Sequence, residues 1–113
     1  MARVIITKDL KEKINKKFKK ESIKVFELLY SLKDHPKKGK FLAKIGDILI
    51  KEQKYKKFRF YFLVDKSKIK LLDSNELVDL LIKFIAMSDK KEQQKTINQI
   101  KNFLKTFGKQ ALE

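Results

Sequence analysis

Lys54, Lys57, Arg59 and Tyr61 are the side chains best placed to do chemistry in this chain. They lie in the stretch Lys54-Tyr55-Lys56-Lys57-Phe58-Arg59-Phe60-Tyr61-Phe62-Leu63-Val64. Read as one strand, this stretch has two faces, because successive side chains point to opposite sides. Phe58, Phe60, Phe62 and Val64 share one face and can anchor a core. Lys57, Arg59, Tyr61 and Leu63 share the other, which can meet a polyanion. Arg59 stands out because the only other arginine among 29 basic residues is Arg3. A guanidinium makes planar, two-pronged contact with phosphate that an ammonium does not reproduce. The same residues also suit a solvated strand face, since one-sided antiparallel sheets normally carry a polar side.

The bulk composition fits a phosphate-seeking role without selecting it. A formal net charge of +15 favours nucleic acid, an acidic protein or an anionic membrane surface. A lysine-rich composition also arises from genome bias or life at high temperature. With 113 residues, 42% of them hydrophobic and nine of them phenylalanine, the chain is expected to form one domain, 1–113, around a single core. The absence of cysteine excludes disulfides, thiolate metal sites and a cysteine nucleophile. No apolar run reaches the ~18 residues that span a bilayer, and Met-Ala-Arg-Val-Ile-Ile lacks the longer apolar region of a secretion signal. A cytoplasmic protein is expected. Ala111-Leu112-Glu113 suits a vector-derived tail, so no function is placed on it.

Several elements must position the phenylalanine strand. Val4-Ile5-Ile6 reads as a first strand. From Asp9, the four-residue spacing of Leu10, Ile14 and Phe18 predicts a basic helix with one apolar stripe. A second helix is expected from Glu21 to Lys33, with Ile23, Val25, Phe26, Leu28, Leu29 and Leu32 on its apolar face and His35-Pro36 as its stop. The two form a hairpin. Pro36-Lys37-Lys38-Gly39-Lys40 is a basic loop, His35 a solvent-exposed loop histidine, and all phenylalanines core. Ile48-Leu49-Ile50, bounded by Glu52-Gln53-Lys54, is expected to pair antiparallel with the phenylalanine strand. Asp65-Lys66-Ser67-Lys68 reads as a turn before a short strand, Ile69-Lys70-Leu71-Leu72. Residues 77–86 fit a strand or a buried helix, the latter capped by Asp73 with Glu76. A last helix, capped by Ser88 or Asp89, carries Ile97, Ile100, Leu104 and Phe107 up to Gly108.

This order, with Gly46-Asp47-Ile48-Leu49-Ile50-Lys51 leading into Lys57-Phe58-Arg59-Phe60-Tyr61-Phe62-Leu63-Val64-Asp65, resembles the RelE/ParE toxin superfamily of toxin–antitoxin systems. In that pattern an edge strand with basic residues precedes a strand of the type Tyr-Arg-hydrophobic-hydrophobic-Tyr. Leu32-Lys33-Asp34-His35-Pro36, followed by Gly39-Lys40-Phe41-Leu42, is similar to the family's helix end, proline-bearing loop and small residue before the second strand. Leu80-Leu81-Ile82-Lys83-Phe84-Ile85, followed by Ser88, Lys90 and Lys91, resembles the last strand of the HigB-like branch and implies a strand over 78–86. The resemblance covers roughly residues 2–105. It implies an α+β fold: a small antiparallel sheet of four to five strands packed on an N-terminal two-helix hairpin, with a C-terminal helix.

Active members of the RelE and HigB branches cleave messenger RNA in the ribosomal A site without a metal. They orient the 2′-hydroxyl toward the adjacent phosphate while fixed cations stabilise the developing charge. The resemblance therefore implies phosphate binding and transition-state stabilisation for Arg59, and a supporting basic role for Lys51. Tyr61 is implied for stacking or proton transfer, and Lys90 and Lys91 for the C-terminal basic position. Lys54, Lys57, Lys37, Lys38 and Lys40 would bind RNA along the way. No cofactor or metal is implied; the expected partners are an acidic antitoxin, the ribosome and messenger RNA, with no membrane. Two positions depart from the family. Phe84 is followed by Ile85-Ala86-Met87 where a basic residue is common, and the C-terminal histidine of some branches is missing. The alternatives are a non-catalytic RNA- or ribosome-binding protein and a ParE-like gyrase inhibitor on the same scaffold.

Overall fold

The strands that the alternation marks out assemble into a single sheet in the order β1-β5-β4-β3-β2. They are β1 (Ala2–Ile6), β2 (Lys40–Ile45), β3 (Ile48–Tyr55), β4 (Phe58–Asp65) and β5 (Leu80–Asp89). The helices are α1 (Lys8–Phe18), α2 (Ser22–Tyr30), α3 (Lys66–Leu71) and α4 (Gln93–Phe107). This computed structural model describes residues 2–71 and 79–113. The fold is α+β, as expected. The sheet is mixed, however: β2-β3-β4-β5 run antiparallel, while β1 lies parallel to β5 with Ala2 opposite Leu80 and Ile6 opposite Phe84.

Helices cover both faces of this sheet. On one side, Leu10 and Ile14 of α1 and Val25 and Leu29 of α2 are buried against Phe60, Phe62, Val64, Ile82 and Phe84. Thr7 caps α1 by accepting from the Leu10 N–H at 3.4 Å. Lys19, at φ 51, breaks the helix after Phe18 and lets α2 turn back. Ile23, placed by periodicity on the apolar face of α2, is instead 66% exposed. On the other side, Ile97, Ile100 and Leu104 of α4 bury Ile48, Ile50, Tyr61 and Leu63. The face expected to lie open is therefore the floor of a second core. Burying a side chain of this size is worth about 1.5–3 kcal/mol, so an amphipathic α4 has every reason to close over an apolar row.

The hairpin that carries Arg59 turns later than expected. Register pairs Tyr55 with Phe58, leaving Lys56-Lys57 as a two-residue loop. Residues 52–55 thus belong to β3, and β4 begins only at Phe58. Lys56 occupies the first loop position at φ 52 without being glycine, which removed the usual signal for such a turn. Its ammonium pairs with the Glu21 carboxylate, which also accepts from Tyr55 Oη at 2.9 Å. The hairpin tip is thereby tied to the α1–α2 joint. These contacts hold the Glu21 carboxyl below its usual range, chiefly through the Lys56 hydrogen bond.

Further differences follow from tertiary packing. Lys66–Leu71 is a helix, in place of the turn expected over Asp65–Lys68 and the strand expected over Ile69–Leu72, whose last residue lies outside the described residues; Asp65 Oδ1 accepts from the N–H and hydroxyl of Ser67 and starts the helix. The Asp73 and Glu76 cap lies outside the described residues. β5 confirms a strand over its described part and runs on to Asp89. Asp89 therefore does not cap α4; its carboxylate accepts the Glu92 N–H at 2.9 Å in the turn before the helix. Phe41, Phe103 and Phe107 are exposed, so not every phenylalanine is core. Ala111 is buried, and Lys83 Nζ donates to its carbonyl at 2.9 Å.

Candidate nucleic-acid interface

Cross-strand partners share a face, so register decides which predicted residues meet. Lys54, Arg59 and Ser88 form one row across β3, β4 and β5; Lys40, Glu52, Tyr61 and Ala86 form the next. Both rows lie on the α4 side, near the end of the sheet where β5 leaves for α4. Arg59 is placed on this face as expected, but it is not open. Its Nε lies 3.5 Å from Glu52 Oε2, and both side chains are nearly buried. Gln93 Nε2 of α4 donates to the same carboxylate oxygen at 3.4 Å. A buried carboxylate needs such partners, because an unpaired charge out of water is costly.

Tyr61 is wholly buried, and its hydroxyl lies 2.7 Å from Ser88 Oγ. Ser88 Oγ donates to the Asp89 carbonyl at 3.0 Å, which leaves the tyrosine hydroxyl to donate to Ser88. Burial raises the Tyr61 pKa above its usual value. As placed, Tyr61 neither stacks on a base nor reaches solvent as an acid. Lys51 departs further. It lies opposite Phe62 and so faces α1 and α2, not α4. Its Nζ donates to the Lys37 carbonyl at 3.1 Å and sits 5.8 Å from the Phe62 ring centre. Burial lowers its pKa. Lys51 and Arg59 therefore do not converge, and Lys37 and Lys38 sit beside His35 and Pro36 in a separate loop hollow.

Three predicted lysines do converge. Lys57 from the β3–β4 loop and Lys90 and Lys91 from the β5–α4 turn line one hollow of about 350 Å³ with Lys17 of α1, over Phe58 and Asp89. Lys17 Nζ lies 5.1 Å and Lys57 Nζ 6.0 Å from the Phe58 ring centre. Among the described residues, none of these four lysines is in an ion pair. Phe58 supplies a flat, partly exposed ring whose face attracts both ammonium groups. The hollow adjoins a second, of about 580 Å³, between α1 and α4, which shares Asp89 and adds Lys13, Lys16, Lys95 and the carboxylate Glu92. Lys13, Lys16 and Lys17 were legible as an i, i+3, i+4 basic face of α1; that this face meets the end of β5 was not.

Chemically, the rim offers four cations from three elements around an aromatic ring, none of them in an ion pair among the described residues, while the row holding Arg59 and Lys54 lies on the opposite face of the sheet. That arrangement suits phosphate and a stacked base. Among the described residues there is no cluster of three histidine, cysteine, aspartate or glutamate side chains that could hold a metal ion. Nor, among them, is any helix long and apolar enough to cross a membrane. No family model, no curated protein and no solved structure matches this chain.

Proposed function

We propose that this protein is an RNA-directed toxin of the RelE type, acting on messenger RNA at the ribosome in the cytoplasm and held in check by an acidic antitoxin. The observation that carries this is the convergence of Lys17, Lys57, Lys90 and Lys91 around the Phe58 ring, none of them in an ion pair among the described residues although Asp89 lines the same hollow. Arg59 follows Phe58 on β4 but lies on its opposite face, so an RNA strand that rounds the end of the sheet from this hollow brings a phosphate to the guanidinium, the group to stabilise charge developing there. No cofactor is invoked. Arg59 reaches RNA once the carboxylate of Glu52 gives it up.

The test is a translating extract supplied with the purified protein. Transcripts are expected to be cut, and Arg59→Ala combined with Glu52→Gln is expected to abolish cutting while the thermal transition persists. The double substitution avoids stranding Glu52 as a buried, unpaired carboxylate. Intact transcripts at saturating protein would sink the endonuclease. One feature favours a second reading, a non-catalytic RNA- or ribosome-binding protein: Arg59 is nearly buried and paired with Glu52, whose carboxylate Gln93 of α4 also holds. That protein binds RNA in a salt-sensitive manner without cutting it. Failure to bind RNA at all removes both.

A further inference from the structure

The sheet has an edge that its own chain leaves open. β1 accompanies β5 only as far as Ile6 opposite Phe84, where the Thr7 N–H donates to the Phe84 carbonyl at 3.1 Å. The chain then departs into α1. β4 continues beside β5 to Phe58 opposite Asp89. Ala86 to Asp89 therefore pair on one side only, and Ile85, the extra residue of a β-bulge with no partner in β4, marks where the edge opens, since Tyr61 pairs with Ala86 and Phe62 with Phe84.

This edge is the floor of a groove. The cavity of about 580 Å³ is lined by Met87, Ser88 and Asp89, and a second of about 390 Å³ by Ile85 and Ala86. The two adjoin at Lys13, Thr96 and Gln99, which line both. α1 forms one wall and α4 the other. Five residues of strand span about 16 Å, the length of a short added strand.

We infer that this groove takes an extended acidic peptide of a partner protein, added to the sheet as a strand along Ile85–Asp89. An unpaired strand edge presents the N–H and C=O groups that a peptide backbone completes, with side-chain contacts supplying specificity. Nucleic acid has no such ladder to offer. The α1 wall carries Lys13, Lys16 and Lys17, all exposed, and α4 adds Lys95. Against them stand Asp89, already bonded to the Glu92 N–H, Glu92, and Asp9 at the far end. Alternate residues of the peptide face opposite walls. One set is acidic, toward α1; the other is apolar, toward Thr96, Ile100 and the exposed Phe103 of α4. A second copy of this chain is a poor occupant, because its own free edge strand, β2, presents the exposed lysines Lys40 and Lys44.

The inference shares with the toxin proposal only the acidic character of the partner. It is tested by adding a short, end-capped peptide of alternating Glu and Val to the isotope-labelled full chain. The expected result is amide shifts and slowed hydrogen exchange at Ile85–Asp89. Binding should weaken about tenfold or more with K13E combined with K16E, and likewise when the peptide's backbone nitrogens are methylated along one edge. K57E combined with K90E should weaken RNA binding and leave peptide binding unchanged, which separates failure here from failure of the toxin proposal. Binding indifferent to methylation overturns the inference, as do shifts confined to Lys57, Lys90 and Lys91, which would mark the peptide as a mere polyanion. Self-association through Ile85–Asp89 without peptide also overturns it, in favour of a second copy.

Discussion

Lys51 shows how one side chain can match a sequence pattern and still belong elsewhere. Its ammonium sits among a carbonyl, a phenylalanine ring and the underside of the sheet, and burial lowers its pKa. The folded state then binds fewer protons than the unfolded state between the lowered value and the ordinary one near 10.5. Stability contributed by this group therefore rises with pH through that window and is absent below it. Lys51→Met removes the titration at little cost in volume. The stability of wild type relative to Lys51→Met, from denaturant melts, should increase as pH rises toward 10.5; a difference constant with pH would show that Lys51 is solvated. The sequence did show that Arg59 and Tyr61 share a face, because alternation in a strand is a matter of covalent geometry. It did not show that Glu52 neutralises Arg59 or that Ser88 accepts from Tyr61. Those partners depend on the hairpin register, which was set by a loop with no glycine or asparagine to announce it.

At the scale of elements, the least replaceable junction is the entry to β2. Gly39 adopts φ +106, and a Cβ built there would lie 2.6 Å from Phe62 Cζ and 3.2 Å from the Glu52 carbonyl oxygen. Phe62 is wholly buried and packs on Phe84 with ring centres 4.8 Å apart, so its ring has nowhere to withdraw. Gly39→Ala combines a disfavoured backbone with an overpacked core and should cost about 1–3 kcal/mol, read as a lower denaturation midpoint with unchanged slope. Gly46→Ala is the control: its φ is +58 but nothing lies within 4 Å, so it carries the backbone cost alone and should be the milder change. Equal losses at the two glycines would remove the steric part of this account. The small residue before β2 was expected only from a resemblance, while its reason, the approach of Phe62, needed the fold. The same limit explains α3. Ile69 and its neighbours look strand-like by propensity, but Asp65 binding Ser67 begins a helix there, and local capping outweighs propensity over so short a segment.

For the whole molecule, the excess of positive charge matters less than where the sheet ends. A net charge of +15 raises the local concentration of any polyanion, but only cations held against the ligand displace counterions from it. The structure sorts the lysines accordingly. Lys17, Lys57, Lys90 and Lys91 share a hollow, whereas Lys37 and Lys38 occupy a separate loop. Each phosphate neutralised on a single strand contributes about 0.7 to the slope of log affinity against log salt. Neutralising three rim lysines, as K57Q, K90Q and K91Q together, should therefore lower that slope by about 2. K37Q with K38Q should leave the slope near its wild-type value while removing comparable net charge per substitution. A slope that follows net charge and ignores position would mean that RNA sees a diffuse field, and the rim would lose its claim to be the binding site. A slope that falls only with the rim would tie binding to the end of the sheet, where β4, β5, α1 and α4 meet and Arg59 waits one row inside.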